Sequence, residues 1–247
     1  RLERERLLQR VDAPVNPHLE STALSLRALR EGGPALLMTQ PTGSNHALLG
    51  NLFGHRRRIE LALAGRPLAS LRELGQLLAA IKEPRWPPSL RQALSTWPEL
   101  AQLAHVAPQR VREAAFEHET LQGSEVDLAR LPIQHCWPDD AGKLITFGLV
   151  VTRGTSKPRQ NVAIYRQQVI GPNRVIMRWL PHRGGALDYA DWCAAHPQQP
   201  FPVLVAIGAD PATMLAAVAP VPDSLSEYEF AGLLRGQRTR VWRSEMT

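Results

Sequence analysis

The amino-acid sequence predicts an α+β chain, with an N-terminal α/β module followed by a mostly antiparallel α+β module. Three observations predict it. Leucines at helical spacing over residues 18–31 are followed by short apolar stretches bounded by turn residues. A continuous apolar run covers Leu144–Val151, and two more strand-like runs, Asn161–Ile170 and Arg174–Leu180, flank Gly171-Pro172-Asn173. The order is helix-rich first and strand-rich afterwards, without internal repeats. Of the 247 residues, 44% are hydrophobic and 21% charged, enough to bury a core without disulfide or metal staples.

Taken in order, residues 1–10 read as the middle of an amphipathic helix, with Leu2, Leu7 and Leu8 on one side. Leu19, Leu24, Leu26 and Leu29 predict a helix over 18–31, and Gly32-Gly33-Pro34 ends it. Ala35–Thr39 and Ala47–Leu49 read as strands around the turn Pro41-Thr-Gly-Ser-Asn45. Helices are expected over 55–64 and 67–82, the second with a core-facing stripe of Leu71, Leu74, Leu77, Leu78 and Ile81. Pro84, Pro87 and Pro88 break that pattern, and short helical pieces follow to about residue 118. Residues 119–135 read as irregular. Gly171-Pro172-Asn173 reads as a three-residue hairpin loop. A helix is expected over 186–195, a strand over Phe201–Gly208, and a helix opened by Asp210 as N-cap with Pro211 at its first position. Ser224–Leu234 reads as the last helix, closed by Gly236, and Thr239–Trp242 as the last strand. The expected division is an N-terminal module over 1–118 and a second module over 119–247. Neither end carries a stop for its element, so the sequence reads as part of a longer chain.

Composition excludes several classes. No stretch of eighteen apolar residues exists, so no transmembrane helix is expected, and RLERERLLQR has no apolar core of a secretory signal. The two cysteines, Cys136 and Cys193, form no C-x-x-C pair, which excludes zinc ribbons and disulfide scaffolds and favours a reducing compartment. The net charge is +6, yet the only long basic run, Arg56-Arg57-Arg58, lacks interleaved aromatics. Lysine occurs only at Lys82, Lys143 and Lys157, so nearly all the positive charge is arginine, which a GC-rich genome supplies by default. No nucleic-acid partner is expected.

The densest chemistry lies between residues 159 and 185. Arg159, Arg166, Arg178 and Arg183 crowd a strand pair beside Trp179, where charge is costly unless something polar binds. His182-Arg183-Gly184-Gly185 leads into a helix, and amides at a helix N-terminus suit a phosphate. An exposed hairpin with solvated arginines fits the same residues. No G-x-G-x-x-G or Walker A pattern is present. Asn161, His182 and Glu227 offer amide, imidazole and carboxylate, a set suited to Mn²⁺, but their spacing does not single them out. Glu227 also stands at capping-box spacing from Ser224. Cys136 beside His135 reads as a structural thiol, because neighbours on an extended chain point apart, and Asp139-Asp140 reads as a turn.

Several long motifs, in order, resemble the UbiD decarboxylase family. They are Leu131-Pro-Ile-Gln-His-Cys-Trp-Pro-Asp-Asp140, Ile145-Thr-Phe-Gly-Leu-Val-Val-Thr-Arg-Gly154 and Arg159-Gln-Asn-Val-Ala-Ile-Tyr-Arg-Gln-Gln168. With them stand Met177-Arg-Trp-Leu-Pro-His-Arg-Gly-Gly-Ala-Leu-Asp-Tyr189, Gly208-Ala-Asp-Pro-Ala-Thr213 and Leu225-Ser-Glu-Tyr-Glu-Phe-Ala-Gly-Leu-Leu-Arg-Gly236. Gly33-Pro-Ala-Leu-Leu37 and Gly50-Asn-Leu-Phe-Gly54 extend the resemblance upstream. The branch it resembles is the 3-polyprenyl-4-hydroxybenzoate carboxy-lyases of ubiquinone biosynthesis.

The resemblance implies a flavin-binding split β-barrel in the second module, prenylated FMN and Mn²⁺ as cofactors, and non-oxidative decarboxylation of aromatic acids. It implies Asn161, His182 and Glu227 as metal ligands. The implied cofactor contacts are Ile164, Tyr165, Arg166, Arg178, Trp179, Leu180, Arg183 and Gly184, with Arg166 also the catalytic arginine. Implied partners are an aromatic acid bearing a polyprenyl chain, a flavin prenyltransferase as cofactor supplier, and further copies of the chain in a homo-oligomer. The implied location is cytoplasmic, with peripheral association at the inner face of the cell membrane. The family's acid segment, of Glu-Gly-(x)-Tyr-Gly-Asp type, has no match before Thr247. The 247-residue polypeptide is therefore expected to hold the phosphate and metal half of the site and to be inactive by itself. The alternative is a flavin-binding module without decarboxylase activity of its own.

Overall fold

The computed structural model describes residues 1–73, 75–76, 107–112, 119–221 and 225–243. The chain divides into two compact units, each assembled from three segments. The first is Arg1–Ile59, His118–Phe147 and Tyr165–Arg178, and the second is Glu60–Glu117, Gly148–Ile164 and Trp179–Thr247.

In the first unit, β1 (Leu8–Val15) lies parallel to β2 (Ala35–Pro41), and β2 pairs antiparallel with β3 (Leu48–Gly50). Parallel neighbours need a crossover, and α1 (Glu20–Arg30) supplies it. The glycine stop acts as the sequence predicts. Gly32 takes φ 65°, its N–H donates to Leu29 O at 3.2 Å, and Gly33 N–H donates to Ala28 O at 2.7 Å. This is a Schellman closure. Val15, Leu36 and Met38 are buried, with Val11, Leu24, Ala28 and Leu48 packed against them.

The expected helix at 1–10 does not form. One turn starts there, with Leu7 N–H donating to Leu2 O, but Arg6 sits at φ 55° and the chain then enters β1. Pairing with β2, more than twenty residues away, overrides the local leucine spacing. Val11 and Val15 suit a pleated strand, and the register shifts between Val11 and Pro14, where a missing N–H interrupts the ladder.

Two predicted long strands are each two short ones. The run 144–151 divides into β5 (Leu144–Ile145) and β6 (Leu149–Thr152). The run 161–170 divides into β7 (Asn161–Ile164) and β8 (Gln167–Gly171). An apolar run marks burial rather than continuity. Here the halves join different sheets: β5, β8 and β9 (Arg174–Met177) form one in the first unit, and β6 and β7 belong to the second. The β8–β9 connection has two residues rather than three, because Gly171 already pairs with Arg174.

In the second unit, β6 is central between β7 and β10 (Leu204–Ala206), both antiparallel to it. All four of its residues are buried, as expected of a strand covered on both faces. Helix α3 (Gly184–Ala195) packs on β6 and β7. Helix α4 (Pro211–Ala216) packs on α5 (Glu227–Arg235), and α5 also packs on β7. Met214, Ala216, Phe230, Leu233 and Leu234 fill this core. A short parallel pair joins β4 (Gln109–Arg110) and β11 (Arg240–Val241). Helix α2 (Arg56–Ala62) stands where one was expected, and 67–82 opens with a 3₁₀ turn at Leu68–Ser70 that continues as α-helix at 71–73 and 75–76. Leu71 is 40% exposed, and Leu74, Leu77, Leu78 and Ile81 lie outside the described residues.

Asp210 caps α4 as predicted, accepting from Ala212 N–H at 3.1 Å and Thr213 N–H at 3.3 Å. It also meets Arg235 Nη1 at 3.4 Å. Asp210→Ala is expected to cost about 1–2 kcal/mol in urea unfolding, and Asp210→Asn to recover most of it.

Candidate functional site

The starts of three elements of the second unit meet at one place. Asn161 opens β7, Gly184 opens α3 and Glu227 opens α5. Pairing of Thr152 with Asn161 sets the first position. The Asn161 side chain lies against Gly184, where an added Cβ would stand 2.7 Å from Asn161 Cγ. Only glycine admits this approach of a helix N-terminus to the amide. The first N–H groups of a helix lack an intrahelical partner, and a helix start is suited to an anion.

Glu227 reaches the strand residue next to Asn161. Its Oε2 accepts from Val162 N–H at 3.2 Å, one residue after Asn161. The capping box that closes α5 uses Ser226 and Glu229, with Glu229 N–H donating to Ser226 Oγ at 3.2 Å and Ser226 N–H donating to Glu229 Oε2 at 2.6 Å. Glu227 is therefore not the capping residue that the Ser224 spacing offered, and its carboxylate is turned to β7.

Burial pushes the Glu227 carboxyl above its usual range. Its own and Val162's N–H groups and the Arg159 charge pull it down, and the Asp188 charge adds to the rise. Burial, with the Glu227 charge, also pushes the Tyr228 hydroxyl up to about 12, so it stays a neutral phenol. The sign of the Glu227 effect on stability follows. The folded state holds that proton to higher pH than the unfolded chain, so stability falls as pH rises from the ordinary carboxylate range to the raised value, then levels off. Glu227→Gln lacks this titration. Its melting temperature without metal is expected to match wild type below that window and exceed it above, as thermal scans from pH 4 to 8 would read.

His182 and Arg183 are exposed in the turn before α3, with Arg183 N–H donating to Leu180 O at 2.9 Å. Leu180 is exposed and Ile164 half-buried. Trp179 packs among Tyr189 and Phe201, ring centroids 5.9 Å from each. These residues lie in the second unit, whereas Tyr165, Arg166 and Arg178 lie in the first. Tyr165 is buried, and both arginines are exposed. Arg166 falls in the break between β7 and β8, which removes the strict alternation that would turn it away from Asn161.

The donor set at this place fits a borderline divalent ion such as Mn²⁺. An amide oxygen, Asn161 Oδ1, faces the start of α3 two residues after His182. A carboxylate, Glu227, is partly stripped of water, and a cation would offset that cost. Among the described residues no three His, Cys, Asp or Glu side chains cluster, and this set contains only two of those types.

Sequence reasoning missed the residues behind Asn161. Asn161 Nδ2 donates to Thr152 Oγ1 at 3.1 Å, and Thr152 Oγ1 donates to Asp188 Oδ2 at 2.7 Å. Asp188, 1% exposed, also receives Lys157 Nζ at 3.3 Å. One pattern could have exposed Asp188: it follows Gly184 by four residues and so shares its helix face. Elsewhere, burial pushes the free Cys136 thiol up, opposite to what a nucleophile needs. Asp140 closes a turn by accepting from Trp137 N–H at 3.0 Å. No helix among the described residues is long and apolar enough to cross a membrane.

Comparison with known proteins identifies the family. The family model described as the 3-octaprenyl-4-hydroxybenzoate carboxy-lyase Rift-related domain matches residues 109–247, and that described as the N-terminal domain matches residues 1–78. The UbiD-class enzyme HmfF from Pelotomaculum thermopropionicum, in complex with FMN, is 27% identical with a TM-score of 0.80, covering 100% of this chain and 49% of that one. An evolved dimeric form of HmfF in complex with prFMN is 26% identical, TM-score 0.76, covering 100% of this chain and 51% of that one. Vanillic acid decarboxylase from Sedimentibacter hydroxybenzoicus, in open form, is 26% identical, TM-score 0.78, covering 100% and 49%. The chain thus spans about half the length of these structures. With one family model over more than half of it, a second over its N-terminal part, and the same mixed α/β fold throughout, this chain belongs to the UbiD family.

Proposed function

We propose that this chain holds the phosphate of prenylated FMN and a Mn²⁺ ion for the non-oxidative decarboxylation of 3-polyprenyl-4-hydroxybenzoate-type acids. The observation that carries the reading is the meeting of Asn161, Gly184 and Glu227 at the starts of β7, α3 and α5, beside a helix N-terminus. Asn161, His182 and Glu227 would hold the metal. Arg183 and the amides at Gly184 and Gly185 would hold the phosphate, with charge-assisted hydrogen bonds fixing its orientation. Ile164, Tyr165, Arg178, Trp179 and Leu180 would line the ring system. Arg166 would grip the substrate carboxylate with its planar fork. The modified flavin, when bound, supplies an electron sink as CO₂ leaves.

The family description supports the polyprenyl substrate class. The FMN and prFMN complexes of similar enzymes support the cofactor, and the dimeric form of one of them supports assembly of this chain into a homo-oligomer. The modular division at 118, the prenyltransferase as cofactor supplier, and peripheral membrane association belong to the same proposal. The test is reconstitution with prenylated FMN and Mn²⁺, followed by flavin fluorescence and CO₂ release from a 4-hydroxybenzoate substrate. Flavin and Mn²⁺ uptake with CO₂ release supports the full reading. Uptake without CO₂ release supports the phosphate and metal roles alone, which a flavin-binding module shares, and no uptake contradicts both.

A further inference from the structure

We infer that Asp188 is a positioning residue that, through Thr152, fixes which atom of the Asn161 amide faces the metal. The inference rests on the proposed metal role of Asn161. An amide presents either an oxygen that can ligate or an NH₂ that cannot, and the two are nearly isosteric. Something must choose between them.

The hydrogen bonds choose by polarity. A carboxylate only accepts, so Asp188 takes the Thr152 hydroxyl proton at 2.7 Å. The Thr152 oxygen then has only lone pairs left, and whatever approaches it must donate. Nδ2 of Asn161 does so at 3.1 Å, which puts Oδ1 on the opposite side, against Gly184. Lys157 Nζ, 3.3 Å from the other carboxylate oxygen, holds Asp188 in place. Asp188 and Thr152 are 1% and 2% exposed, so water does not compete for these bonds.

Asp188→Asn changes polarity without changing size. Lys157 then holds the amide oxygen of the new side chain, and its NH₂ points at Thr152. The Thr152 hydroxyl proton is released toward Asn161 and draws its Oδ1, turning Nδ2 to the metal position. Changing a group that orients a metal ligand in this way costs ~10–100-fold in metal affinity. Thr152→Ser keeps the relay and should stay within about threefold of wild type, whereas Thr152→Val breaks it.

Two readouts test the inference. The first is Mn²⁺ affinity, by electron paramagnetic resonance titration of free Mn²⁺ with FMN present. The second needs no metal: the Asn161 side-chain NH₂ pair in ¹⁵N spectra, identified by its loss in Asn161→Ala. The expected result is a protected NH₂ proton in wild type and Thr152→Ser, a changed environment in Asp188→Asn, and loss of protection in Thr152→Val. Mn²⁺ affinity should follow the same order. An Asp188→Asn protein with an unmoved NH₂ pair, or one that binds Mn²⁺ like wild type while Asn161→Ala does not, overturns the inference. If Asn161→Ala itself binds Mn²⁺ like wild type, the metal reading of Asn161 falls, and the NH₂ spectra alone decide the positioning.

Discussion

Gly184→Ala is expected to weaken Mn²⁺ binding on the order of 10–100-fold while the protein stays folded. The added Cβ lands on the Asn161 side chain, 2.7 Å from its Cγ, closer than real Cβ contacts allow. The side chain must move, and it is tethered to Thr152 Oγ1 by one hydrogen bond of 3.1 Å. Displacing it moves the ligand oxygen and fills the space that a phosphate would use. The fold is spared because two effects oppose each other. Alanine at the first turn of α3 gains up to about 1 kcal/mol in helix propensity. Crowding of this kind costs about 1–3 kcal/mol. The net loss should be under about 2 kcal/mol, a shift of a few degrees in a chain this long. A thermal scan beside a Mn²⁺ titration separates the two effects.

Arg58→Ala is expected to lower the unfolding free energy by about 3–5 kcal/mol. Arg58 is 3% exposed, and its guanidinium is spread over three main-chain carbonyls. Nε donates to Leu52 O at 3.0 Å, Nη1 to Gly33 O at 2.9 Å and Nη2 to Asn51 O at 2.9 Å. It ties the segment after α1 to the turn after β3. Burial lowers the basicity of the group, so the cost of burying the charge is real and the hydrogen bonds offset it. Removing the side chain takes the closest donor from three carbonyls, leaves Gly33 O and Asn51 O with only longer bonds of 3.5 Å, and opens a cavity besides. Arg58→Lys should recover only part of the loss, because one ammonium cannot match a planar fork. Urea unfolding of the three proteins reads the difference. One member of the basic run Arg56-Arg57-Arg58 is thus an internal cross-link.

What was legible in the sequence is what short-range chemistry decides. Gly32-Gly33-Pro34, Asp210-Pro211 and Gly236 each stop or start a helix where expected, and Gly236 takes φ 65°. What was not legible depends on distant partners. β1 needs β2, and nothing within residues 1–15 carries that information. The runs at 144–151 and 161–170 divide because Ile145 pairs with Gln167 while Leu149 pairs with Ile164 and Ala206. The capping box was ambiguous because Ser224 and Ser226 both have a glutamate three residues on. The Glu227 bond to Val162 turns that carboxylate away from any capping role. The proposed metal trio was visible only through the family resemblance, since Asn161 and Glu227 stand 66 positions apart. Thr152 and Lys157 were not visible at all, and Asp188 only through its four-residue spacing from Gly184, because polar residues reveal a relay only when a sheet and a helix bring them together.

The central claim is that Asn161, His182 and Glu227 hold a divalent ion that grips a flavin phosphate. Isothermal titration of the protein with FMN, in Mn²⁺ and then in EDTA, tests it most directly, with riboflavin as the flavin that lacks the phosphate. FMN is expected to bind at least tenfold tighter with Mn²⁺, a difference of about 1.4 kcal/mol. His182→Ala is expected to abolish this gain, and riboflavin to show none. Equal FMN affinity in Mn²⁺ and EDTA, or an unchanged gain in His182→Ala, would contradict it.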